Sequence, residues 1–61
     1  SVKDLQARYD ALEEKMADLE DALSEAETDS RCELLEGRME RLEGKMIALD
    51  EEIADAEDAA A

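Results

Sequence analysis

Histidine, tryptophan, phenylalanine and proline are all missing from these 61 residues, and cysteine and tyrosine occur once each. Without histidine there is no imidazole for acid/base chemistry and no Cys/His zinc site, and a single thiol allows no internal disulfide. With no proline and only two glycines, little in the chain opposes helix formation. Long apolar runs are missing too, so no stretch is expected to span a bilayer. Positive charge is scarce: 7 Lys and Arg stand against 20 Asp and Glu, a net charge of -13. That balance repels nucleic acid and anionic lipid, both of which are held mainly through basic side chains. The expectation is a chain with no catalytic residue, cofactor, metal ligand, nucleic-acid contact or membrane anchor.

What is present is charged and hydrophobic residues, each 44% of the chain. A chain this short makes one domain, and domains of this size bury only about 60% of the surface that their unfolded chain exposes. Self-association is therefore expected. The chain opens Ser1-Val2-Lys3 and closes Asp58-Ala59-Ala60-Ala61, which fits an excised fragment or processed product. With no secretory signal read in it and one thiol suited to a reducing compartment, an intracellular, cytoplasmic setting is expected.

Apolar residues recur at spacings of three and four. The first run is Val2, Leu5, Tyr9, Leu12, Met16, Leu19, Leu23 and Ala26; the second is Cys32, Leu35, Met39, Leu42, Met46, Leu49, Ile53 and Ala56. Both read as alternating a and d positions of coiled-coil heptads, with Tyr9 and Cys32 at a. Sliding the chain by 30 residues superposes Leu5, Arg8, Leu12, Glu13, Lys15, Met16, Leu19, Ala26 and Glu27 on identical residues, as a duplicated helix would.

Thirty residues exceed four heptads by two, and two residues swing an apolar stripe by roughly 150–210°. One unbroken helix would turn its second stripe away from its first, so a break is expected within Glu27-Thr28-Asp29-Ser30-Arg31. Ser30 with Glu33 fits a capping box there. The expected elements are helices over 2–27 and 31–58 joined by a turn at 28–30, forming one module over 1–61. A turn centred on Asp29 pairs every core position with another: Leu5 with Ile53, Tyr9 with Leu49, Leu12 with Met46, Met16 with Leu42, Leu19 with Met39, and Leu23 with Leu35. Val2 with Ala56 and Ala26 with Cys32 close the two ends.

Charge bears on the same choice. Residues 16–30 and 46–61 each hold six acids and no base, so folding back lays each acidic half beside a balanced one. The g positions Arg8, Lys15, Arg38 and Lys45 are basic, whereas the e positions Glu13, Glu20, Glu36, Glu43 and Asp50 are acidic. A parallel pair would join Arg8 to Glu13, Lys15 to Glu20, Arg38 to Glu43 and Lys45 to Asp50. A hairpin instead flanks g with g and e with e. Exposed ion pairs are each worth about 0–1 kcal/mol, less than the roughly 1.5–3 kcal/mol for each apolar side chain that a mismatched stripe forfeits. An all-α helical hairpin of two heptad-repeat helices is therefore expected. Two such hairpins, acidic edge on basic edge, would make a four-helix bundle, with a parallel coiled coil bent near residue 29 as the rival.

The remaining candidates for chemistry read as structural. Carboxylate pairs such as Glu14 with Asp18 lack a pocket to set them apart, and residues 18–29 lack the glycine and spacing of a calcium loop. Gly37 and Gly44, one heptad apart at f, are either incidental or the floor of a docking groove. The stretch 26–36, Ala-Glu-Thr-Asp-Ser-Arg-Cys-Glu-Leu-Leu-Glu, is similar in texture to tropomyosin and myosin rods, and the length and layout look like the small plasmid-encoded Rop dimers. The functional expectation is a non-enzymatic oligomerisation or scaffolding module. Its partner would be itself, as a dimer, or else another helical or basic protein. An acidic mimic of nucleic acid, inhibiting a DNA- or RNA-binding protein, is the alternative.

Overall fold

In a computed structural model describing residues 1–60, the chain forms α1 (Val2–Glu25) and α2 (Asp29–Ala60), packed side by side as an antiparallel hairpin. The last residue of the expected 1–61 module lies outside the described residues. At about 1.5 Å per residue, α2 is roughly 48 Å long, which accounts for the longest dimension of the molecule, 49 Å against 15 and 10 Å across. The hairpin is therefore two helices wide and one helix deep.

The break falls earlier than the Ser30–Glu33 signal implies. α1 ends when Ala26 turns extended (φ -67°, ψ 129°) while its amide closes a last tight turn on the Leu23 carbonyl at 3.2 Å. The Ser24 hydroxyl folds back within the last turns and donates to the Asp21 carbonyl at 2.7 Å. Thr28, not Ser30, caps α2: its hydroxyl accepts from the Arg31 amide at 3.2 Å and its carbonyl accepts from the Cys32 amide at 3.0 Å. Asp29 then sits in the first turn, where the positive end of the helix dipole favours a carboxylate. The connection is thus Ala26–Thr28 in place of 28–30. α1 stops two residues short of 27, and α2 starts two residues before 31 and runs two beyond 58. No residue among those described takes a positive φ, so the reversal is made by extended backbone without a glycine.

All sixteen positions of the two apolar runs turn toward the seam between the helices, and none is fully exposed. Leu35 and Ile53 are buried, at 1% and 7% exposure, and the other fourteen remain half-buried. Leu34 and Ile47 are the large apolar side chains left outside, at 48% and 62%. Among the described residues, no helix is long and apolar enough to cross a membrane.

Candidate interaction surface

Two strips of surface flank the seam, and their chemistry differs. In a helix with 3.6 residues per turn, positions c and g lie on the d side of the apolar stripe, and b and e lie on the a side. An antiparallel partner doubles each strip, because it sets g beside g and e beside e. The hairpin therefore carries a d/g/c side and an a/e/b side, each with shallow open grooves running over the seam.

The d/g/c side has a leucine floor and basic walls. One groove lies over Leu19 and Leu42 and is walled by Lys15, Arg38, Arg41 and Lys45, with Asp18 the acid among them. A second lies over Leu12 and Leu49 between Arg8, Ala11, Lys45, Ala48 and Glu52. A third, at the connection, is formed by Ala22, Glu25, Ala26, Glu27, Thr28 and Arg31. Together they hold six of the chain's seven basic residues. The a/e/b side has a softer floor, and no base walls its two grooves. Tyr9, Met16 and Met46 lie beneath Glu43, Ile47 and Asp50, and Leu23 and Met39 lie beneath Glu36, Glu40 and Glu43.

The four basic g positions Arg8, Lys15, Arg38 and Lys45 thus meet on one side, and Glu43 and Asp50 on the other. Glu13 and Glu20 are exposed on α1 and line none of these grooves. Several contributors fall outside the a, d, e and g positions singled out from sequence, among them Asp18, Arg41 and Ala48 at c and Glu40 and Ile47 at b. Their signal was present in the heptad, since c and b widen the g and e strips.

Cross-helix ion pairs do not tie these walls together. Among the described residues the salt bridge within 4 Å is that of the Ser1 terminal ammonium with Asp4, at 4.0 Å. Gln6 donates to Asp10 at 3.5 Å along the outside of α1. Cys32 is a free, half-buried thiol, and among the described residues no group of three or more His, Cys, Asp and Glu side chains is arranged to hold a metal.

The class defined is a two-stranded helical hairpin with an apolar seam one side chain deep and two electrostatically unlike sides. Compared with protein-family models, curated proteins and solved structures, the chain matches none.

Proposed function

We propose that this chain is a non-enzymatic self-association module: a coiled-coil hairpin that packs on further copies of itself, two hairpins forming a four-helix bundle, and so holds those copies or a parent protein together. The observation that carries the reading is the half-exposure of fourteen of the sixteen seam residues. A compact monomer of 6.8 kDa exposes roughly 3,950 Å² by the usual mass scaling, whereas this chain exposes 4701 Å². The surplus of about 750 Å² is close to the roughly 800 Å² that each partner contributes to a standard stable interface. Covering one groove-bearing side with a second hairpin supplies the core depth that one hairpin lacks. The free thiol of Cys32 suits a reducing, cytoplasmic setting.

Sedimentation equilibrium at about 10 mM and 500 mM NaCl tests this, because Debye lengths of roughly 30 Å and under 5 Å switch the repulsion between chains of net charge -13 on and off. Masses of at least twice the chain mass, with tighter association at the higher salt, are expected. A single 6.8 kDa species at both salts up to millimolar concentration would refute it.

The a/e/b side, with Glu36, Glu40, Glu43 and Asp50 and no base in its walls, supports the second reading, in which the carboxylates occupy the basic groove of a nucleic-acid-binding protein. Its signature is a complex with a basic partner that falls apart steeply as salt rises.

A further inference from the structure

We infer that the copies associate side to unlike side, the basic d/g/c side of one hairpin receiving the acidic a/e/b side of the next, so that assembly does not close at two. This rests on the self-association reading and specifies its geometry. A twofold axis sets the same patch of both subunits against each other. With its axis through either cluster it would oppose Lys15, Arg38, Arg41 and Lys45, with Asp18 the one acid among them, to their own copies on one side, or Glu36, Glu40, Glu43 and Asp50 to theirs on the other. Both arrangements concentrate like charge over an apolar floor that must be dehydrated.

The unlike arrangement removes that conflict on both sides at once. The bases have no carboxylate within 4 Å inside their own hairpin among the described residues, so their donors are available to a neighbour's acids. The floors match in kind as well: Ile47, 62% exposed beside Met46, is a protruding apolar group, and the leucine groove over Leu19 and Leu42 is the concave apolar surface for it. Each such contact leaves one basic side and one acidic side uncovered at the ends. The pair is therefore a growing unit, extending to a stack or closing only as a ring of three or more. A closed dimer, the copy number expected from the sequence, is the arrangement this charge layout disfavours.

Two neutralised chains test the geometry. Chain one carries Lys15→Gln, Arg38→Gln and Lys45→Gln; chain two carries Glu36→Gln, Glu43→Gln and Asp50→Asn. Glutamine keeps helix propensity close to that of the residues it replaces, and far-UV circular dichroism of each chain verifies that helix content is unchanged. In sedimentation velocity the unmodified chain is expected to rise in mass past two copies as concentration increases. Each variant alone is expected to associate roughly tenfold or more weakly, and their mixture to give a one-to-one complex that stops there, since only one intact pair of unlike sides remains. A plateau of the unmodified chain at two copies, or either variant dimerising alone as tightly as the mixture, would overturn the side-to-unlike-side geometry while leaving self-association standing. An unmodified chain that stays monomeric would overturn both.

Discussion

Leu34 and Leu35 are adjacent in sequence and opposite in environment, 48% and 1% exposed. Replacing each in turn with alanine removes the same atoms from the two settings. At a fully buried site Leu→Ala costs about 2–5 kcal/mol, the sum of lost transfer free energy and the cavity left behind. In a seam one side chain deep, neighbours can relax into the void, which places Leu35→Ala near the lower end, about 2–3 kcal/mol. Leu34→Ala loses partial contact and gains a little helix propensity, a net change within about 0.5 kcal/mol. A chain of this length has a total stability of roughly 3–9 kcal/mol at about 0.05–0.15 kcal/mol per residue, so the first substitution removes from about a fifth to nearly all of it. Thermal melts followed by circular dichroism should show Leu35→Ala lowering Tm by about 10–20 °C, and Leu34→Ala by only a few degrees. The comparison is made at one fixed chain concentration, then repeated at tenfold dilution, because self-association stabilises by mass action. Equal losses for the two variants would refute the placement of position 35 in the seam and of 34 outside it.

Gly37 and Gly44 lie inside α2, and a Cβ built at either would meet nothing within 4 Å. Alanine at each should stabilise the chain by about 1 kcal/mol in urea melts; a loss at either position would show that another backbone closes on that face. Thr28→Ala should cost about 1 kcal/mol as a lost cap, whereas Ser30→Ala should leave stability level or slightly raised. The reverse order would restore the Ser30–Glu33 capping box. With Cys32→Ser as background, Leu5→Cys combined with Ile53→Cys should oxidise to a disulfide within one chain in dilute solution. A dominant Leu5→Cys bridge between two chains, resolved by non-reducing electrophoresis and mass spectrometry, would sink the hairpin.

The seam was legible because two independent regularities agree on it. Spacings of three and four select the sixteen inward positions, and the two-residue excess over four heptads calls for a break, after which a turn centred on Asp29 is the arrangement that pairs every core position with another. The connection was less legible because two start signals lie two residues apart. Ser30-x-x-Glu33 has the better residue pair on paper, but Thr28 gains from Asp29 at the first helical position and from an extended Ala26 that delivers the chain to it. Single-residue preferences of about 1 kcal/mol or less cannot rank such neighbours. The unlike edges were legible for the same reason, since a hairpin sets g beside g and e beside e. Their width was not, because weighing e and g charges as pairs leaves out positions b and c, and only the packed helices show Arg41, Ala48 and Ile47 joining the grooves.

That placement also explains how a chain with so few bases can tolerate crowding them. Antiparallel packing brings Lys15, Arg38, Arg41 and Lys45 around one groove without an acid to pair each of them. Exposed like charges oppose one another by no more than about 1 kcal/mol per pair and are screened by salt, whereas the seam gains roughly 1.5–3 kcal/mol for each apolar side chain it fully buries. Folding therefore proceeds against the charge pattern. In the proposed contact the same crowding changes sign, because an arriving carboxylate meets several cations at once in a site that loses water as it closes. A sequence arranged for the best ion pairs within one hairpin would cancel the difference between its two sides. By leaving those pairs unmade, this one keeps two unlike surfaces, and in the proposed assembly the net charge of -13 sets how much salt the copies need before those surfaces can meet.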